Sequence, residues 1–233
     1  MSVHPLDFFE RVFVINLEYR KDRRQAMERE LVRIGYDPDK VYWFKAFRPE
    51  TPEPFYSVGM HGVFLSHLGV LSKACELGLH KCLILEDDAK FSSDFQAQAA
   101  TVVNDLGTCA WDVFYGGYSI DDTPSTKGPI TELPSSTPLL LAHCVAFNDT
   151  TILRVRDYIS QQPSRAKGDP AGGPMMIDGS YSWARKDLDL RTFIATPQIC
   201  VQRPSSSDIT PKNWFDRLPL VRELANTVRR LKE

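Results

Sequence analysis

The chain alternates between two hydrophobic periods. "RVFVINL" (11–17) is a short β-branched run and predicts a buried strand. "KDRRQAMERELVRIG" (21–35) follows, with Met27, Leu31 and Ile34 on one helical face, Gly35 placed to end the helix, and Asp22 with Gln25 resembling a capping box. "KVYWFKAF" (40–47) predicts a second strand, and residues 48–60, with Pro49, Pro52 and Pro54, a loop. A helix over about 61–77, ending near Gly78, leads to the strand in "HKCLILEDDAKF" (80–91). "SDFQAQAATVVNDLG" (93–107) reads as a helix and "WDVFYGG" (111–117) as a strand closing on two glycines. Residues 118–138 read as a long polar loop, a type that is often functional. "LLLAHCVAF" (139–147) is strand-like, and "NDTTILRVRDYISQQ" (148–162) is a capped helix with Ile152, Val155 and Ile159 on one face. "PSRAKGDPAGGP" (163–174) reads as a mobile connector, "RTFIATPQICVQ" (191–202) contains a strand, and a polar turn and a terminal helix close the chain.

Strands alternating with helices predict an α/β fold, a largely parallel sheet covered on both faces. Such sheets place ligands beyond the carboxyl ends of their strands. At 233 residues, 42% hydrophobic and 25% charged, the composition is that of a soluble globular protein. A net charge of -2 gives no reason to expect nucleic-acid binding, and no apolar run is long enough for a membrane span. The first residues lack a basic region and a small-residue cleavage site, so no signal peptide is expected. Cys75, Cys82, Cys109, Cys144 and Cys200 are scattered in mostly apolar segments, which suits reduced thiols in a cytoplasmic protein.

One strand runs straight into Glu86, Asp87 and Asp88. Adjacent carboxylates repel, so a positive partner is expected there. In a strand, alternate residues share a face, which would point Glu86 and Asp88 together and turn Asp87 away. Two such carboxylates suit a hard cation, Mn²⁺ or Mg²⁺; a solvated acidic turn is the alternative. Arg20, Lys21, Arg23 and Arg24 crowd the entrance of the first helix, against its dipole. A phosphate there would reverse the sign of that interaction; pairing with Asp22, Glu28 and Glu30 is the alternative. No GxGxxG or GxxxxGK[ST] follows the first strand.

Ile15-Asn16-Leu17, Asp22-Arg23-Arg24, Ser66-His67-Leu68 and Glu86-Asp87-Asp88, in that order and spacing, together with "PQICVQRPSSSDI" (197–209), resemble glycosyltransferase family 25, the lipooligosaccharide- and lipopolysaccharide-biosynthesis type related to collagen galactosyltransferases. The resemblance covers 12–91 well and is looser in "LAHCVAF", with His143, and "MMIDGSYSW", with Asp178. It implies a GT-A-like fold, a Rossmann-like mostly parallel sheet between helices. That fold would form one domain over 1–233, with a nucleotide-sugar half (8–117), an acceptor and catalytic half (118–212) and a C-terminal helix (213–233).

It further implies metal-dependent, inverting transfer of a hexose, galactose or glucose, from a UDP-sugar to an acceptor hydroxyl on a glycan, lipid-linked glycan or protein. Asn16, Leu17, Arg20, Arg23, Arg24, Ser66, His67 and Asp87 are the candidate donor contacts. Glu86 and Asp88 are the candidate metal ligands, with His143 or Asp208 in addition. His67 and His143 could equally be packed core residues, and Asp208 a turn cap. Asp178 is the candidate general base, with a helix cap as its other reading. The terminal helix, with Leu218, Val221, Leu224, Val228 and Leu231 in one stripe and basic residues around it, would pack on the domain or lie on an anionic membrane at the inner face. Two rivals stand beside this reading. A nucleotidyltransferase on a similar fold would want a Gly-rich loop after the first strand, and 16–19 has no glycine. A catalytically silent sugar- or protein-binding domain would have no need of these charged residues.

Overall fold

The computed structural model describes residues 3–121 and 128–203. The first strand forms as β1 (Arg11–Asn16), followed by α1 (Lys21–Arg33) and β2 (Tyr42–Lys45). Gly35, at φ +76°, ends α1 as expected: its N–H and that of Tyr36 reach back to the carbonyls of Val32 and Leu31, each at 2.9 Å. The capping box does not form. Arg20 takes the N-cap position, which leaves Asp22 inside the first turn, where it accepts from the Arg20 guanidinium. Next come α2 (Val58–Glu76), capped by the Ser57 hydroxyl, and β3 (Lys81–Glu86). A short strand β4 (Ala89–Phe91) leads to α3 (Phe95–Thr108).

β5 (Val113–Ser119) does not close on its glycines but runs through them. The polar segment expected as a loop contains β6 (Ile130–Leu133). β7 (Leu140–Asn148), α4 (Thr151–Ser160) and α5 (Ile177–Asp187) follow, and the segment 191–202 is two strands, β8 (Thr192–Ala195) and β9 (Cys200–Gln202). The connector 163–174 is tied to itself, because the Arg165 guanidinium donates to the carbonyls of Ala171 and Gly172. The terminal helix lies outside the described residues.

The main sheet has the order β2-β1-β3-β7-β5-β8-β6. β2, β1 and β3 are mutually parallel, as are β5 and β8; β7 and β6 run against their neighbours. The sheet is thus mixed and mostly parallel, with β7 as the antiparallel strand in its middle. Helices cover both faces. Phe13, Ile15, Ile84, Val145 and Phe147 pack toward α2, α4 and α5 on one side. Val12, Val14, Leu83, Leu85 and Ala146 pack toward α1 and α3 on the other. Strands buried on both faces must be apolar at every position, which is why these segments read as continuous runs. β4 and β9 form a separate antiparallel ribbon beyond the end of β3.

Candidate functional site

β1 and β3 lie side by side, with Ile15 opposite Glu86, so both chains leave the sheet at one edge. β3 stops at Glu86, and the alternation of faces stops with it. Asp87 and Asp88 therefore do not take the orientations a longer strand would give them. Asp87, expected to face away, turns back to β1 and accepts from Asn16 Nδ2 at 2.7 Å and Arg23 Nη1 at 2.9 Å. Asp88 accepts from Gln202 Nε2 at 3.1 Å and lies 3.9 Å from Arg23 Nη1, while its buried Oδ1 has no partner among the described residues. Glu86 turns toward α2, with Oε1 3.3 Å from His67 Nε2.

The positive group at the acids' carboxylates is Arg23, for which the sequence suggests a phosphate or pairing with Asp22, Glu28 and Glu30; Arg203, which the sequence does not suggest, joins them through the backbone. The Arg203 guanidinium donates to the carbonyl of Asp87 at 2.9 Å, and its backbone N–H donates to that of Asp88 at 2.8 Å. Gln202 and Arg203 stand in the "CVQRP" segment of the family resemblance, but their sequence distance from the acids hides the contact.

Electrostatics separates the carboxylates. Burial pushes Asp88 up to about 7, and the charge of Glu86 adds to it. Burial raises Asp87 too, against its bonds from Asn16 and Arg23. Burial also acts to raise Glu86, but the hydrogen bond from His67 and the charge of Arg23 act against it, and the group is held low.

A cavity of about 450 Å³ opens over this edge. Arg23, Leu17, Ser66, His67, Glu86 and Asp87 line it, and Tyr19, Phe47, Arg48 and Val58 add an aromatic and apolar rim. The Arg48 guanidinium sits 5.0 Å over the Tyr19 ring. Nothing in the sequence singled out Tyr19, Phe47 or Arg48.

Other expected donor contacts are engaged in the fold. Asn16 braces Asp87 and also reaches the Arg20 carbonyl. Arg20 forms a two-pronged pair with Asp22. Arg24 points away from the cavity, pairing with Glu28 at 3.0 Å and lying 4.5 Å over the Trp43 ring. The Ser66 hydroxyl donates to the Gly62 carbonyl and accepts from the Phe47 N–H, fixing the loop that carries the rim.

The β5–β7 register shifts on either side of the Gly117–Cys144 pair, a bulged region of the kind common near sites. His143 lies there, buried, with neither ring nitrogen hydrogen-bonded among the described residues. Burial lowers its basicity, and the nearby charge of Glu86 opposes that. Leu141 adopts φ +70°, a left-handed geometry rare for a bulky residue, and its N–H meets Asp178 Oδ2 at 3.2 Å. Asp178 is not the N-cap of α5, which is Met176, but lies in the first turn, with Oδ1 accepting from the Gly179 N–H. Burial raises its pKa, and the charge of Glu86 adds to that shift. Asp178 does not line the cavity, nor do Asp88 and His143.

Among the described residues, no group of three or more His, Cys, Asp or Glu is close enough to hold a metal ion by itself, and Asp208 lies outside them. The chemistry of the donor set nevertheless fits a hard cation. Asp88 carries a buried oxygen with no hydrogen bond among the described residues, and the charge of Glu86, a second carboxylate two positions before it, acts on it. Mg²⁺-type sites commonly take one or two protein carboxylates and complete their shell with phosphate and water.

Sequence comparison agrees with the motifs. Residues 53–113 match the model of glycosyltransferase family 25 (LPS biosynthesis protein). Procollagen galactosyltransferase 1-A of Xenopus laevis is 31% identical over 129 residues, covering 47% of this chain and 21% of that protein. A glycosyltransferase 25 family member of Drosophila pseudoobscura pseudoobscura is 33% identical over 125 residues, covering 46% and 20%. The human protein named inactive glycosyltransferase 25 family member 3 is 31% identical over 177 residues, covering 67% and 30%. The chain spans about a fifth of the length of the first two relatives. Among solved structures, a glycosyltransferase involved in the glycosylation of the major capsid of PBCV-1 aligns at TM-score 0.49 and 11% identity, over 84% of this chain and 94% of that one. The matched part of the chain is thus similar to glycosyltransferase family 25, and the procollagen galactosyltransferases are among the proteins it resembles.

Proposed function

We propose that the chain is a glycosyltransferase that moves a hexose, galactose or glucose, from a UDP-sugar to an acceptor hydroxyl with inversion. One observation carries this reading: a single cavity at the ends of β1 and β3 presents the Arg23 cation beside the carboxylates of Glu86 and Asp87. A nucleoside diphosphate bound through a divalent cation asks for that pairing of charges. Glu86 and Asp88 would hold Mn²⁺ or Mg²⁺, and the ion would supply Lewis-acid neutralisation of the departing diphosphate. Arg23 would orient the phosphates, and the rim of Tyr19, Phe47 and Arg48 offers flat and cationic surface for a base. Asp178 would take the proton of the acceptor hydroxyl as that oxygen bonds to the anomeric carbon and the bond to UDP breaks on the opposite face. A buried carboxylate with a raised pKa is suited to that role. The acceptor would be a glycan, a lipid-linked glycan or a protein, met in the cytoplasm or at the inner face of a membrane. Among the described residues no helix is long and apolar enough to cross one.

The test is UDP release from UDP-galactose, UDP-glucose, UDP-N-acetylglucosamine and UDP-N-acetylgalactosamine with Mn²⁺. Release from a hexose donor that chelation abolishes is expected; no UDP binding and no release with any donor would sink the proposal. Asp88→Asn should keep the fold, with equal or greater thermal stability because a poorly compensated charge is removed, and lose Mn²⁺-dependent UDP binding in calorimetry.

A further inference from the structure

Behind Glu86 stand two buried polar side chains that the proposed chemistry does not use. His67, at 0% exposure, lies between Glu86 and Tyr181 of α5. Its Nε2 is 3.3 Å from Glu86 Oε1 and its Nδ1 is 3.0 Å from the Tyr181 hydroxyl. The Tyr181 ring is fixed by edge contacts with His67 and Phe147, at 5.7 and 5.1 Å between centroids. Burial holds the phenol well above its ordinary range, so its O–H stays a donor.

A neutral imidazole has one N–H and one acceptor nitrogen, and an ionised carboxylate can only accept. A hydrogen bond to Glu86 favours the proton on Nε2, and a hydrogen bond from the Tyr181 hydroxyl favours Nδ1 as the acceptor. The two neighbours select the same tautomer from opposite sides. We propose that Tyr181 is a positioning residue: its hydroxyl, 3.0 Å from His67 Nδ1, orients the imidazole so that Nε2–H meets Glu86 at the wall of the donor cavity. The inference rests on the donor-site reading above for its consequence, though not for its geometry. The logic is that of outer-shell partners that orient and tautomerise a ligating group.

The experiment uses the full chain, labelled with ¹⁵N at histidine, the His67 signal being assigned by its loss in His67→Gln. Metal-free wild type should show a protonated Nε2 and an unprotonated Nδ1. Tyr181→Phe keeps the ring; it should mix the two tautomers and weaken Mn²⁺-dependent UDP binding roughly 5-fold, the scale of one hydrogen bond. His67→Gln retains an N–H for Glu86 and has no tautomer to select. Adding Tyr181→Phe in that background should therefore change UDP affinity by less than about twofold. A protonated Nδ1 in wild type, an unchanged imidazole in Tyr181→Phe, or the same loss of affinity in both backgrounds would overturn the proposal. If Tyr181→Phe does not fold, the wild-type spectrum still decides the tautomer. A wild type with the expected tautomer but no affinity for UDP would overturn the donor reading and uphold the positioning of Glu86.

Discussion

Arg23 and Arg24 are neighbours in sequence with opposite fates. Arg23 reaches across to Asp87, whose carboxylate is nearly buried, whereas Arg24 pairs with the exposed Glu28. Relief of a helix-dipole conflict, the effect expected from the sequence, is therefore outweighed at Arg23 by its pairing with that carboxylate. Arg23→Gln should destabilise the fold by about 1–3 kcal/mol, because it leaves a buried carboxylate short of its partner, and should weaken UDP binding. Arg24→Gln should change stability by less than about 1 kcal/mol and leave UDP binding intact. Paired melting curves and calorimetry check both. Asp178 acts on the acceptor in the proposed reaction. Asp178→Asn should thus preserve UDP and Mn²⁺ affinity while transfer falls roughly 10²-fold, measured by initial rates with saturating donor. The acids and the arginines could be read as a site because their charges are clustered in sequence. Their directions could not: where a strand ends, the two-residue alternation of faces ends too.

At the scale of elements, α1 is tied to the β4–β9 ribbon by Glu30, which accepts from Arg33 at 2.6 Å and from the Phe91 N–H at 2.8 Å. Burial acts to raise Glu30, but the Arg33 and Phe91 bonds outweigh it and hold the carboxyl below its ordinary 4.5. A depressed folded pKa contributes stability that is present above 4.5 and lost as pH falls through the folded value. Urea unfolding followed from about pH 7 to about pH 3 should show Glu30→Gln less stable than wild type at neutral pH, with the gap closing in acid. β5 offers a second test. A Cβ on Gly117 would lie 2.3 Å from both the Cys200 carbonyl and His143 Nε2, so β9 and β7 approach this strand as only glycine permits. Gly117→Ala should cost about 1–3 kcal/mol, read as a lowered midpoint in denaturant. β1, β3 and β7 were legible because burial on both faces makes them uninterrupted apolar runs. β4, β6 and β9 were not, since each has only three or four residues and none is paired with a sequence neighbour.

At the scale of the molecule, the α/β plan followed from the alternation of periods, and the edge that holds the cavity followed from the rule for parallel strands. The antiparallel course of β7 did not, because an apolar run carries no sign of its direction. The contact between Arg203 and the acidic turn joins positions 115 and 116 apart, beyond any local pattern. That separation also has a meaning in time. A chain made from its N-terminus exposes Glu86, Asp87 and Asp88 long before Gln202 and Arg203 exist. During synthesis the sheet can gather β1, β2 and β3 while the Asp87–Asp88 turn still lacks its clasp. Its charges wait on a segment that can close only after a long loop has been paid out, the kind of contact that forms slowly. The acidic turn at the end of β3 thus gains its clasp late, after the chain that forms most of the sheet has been made.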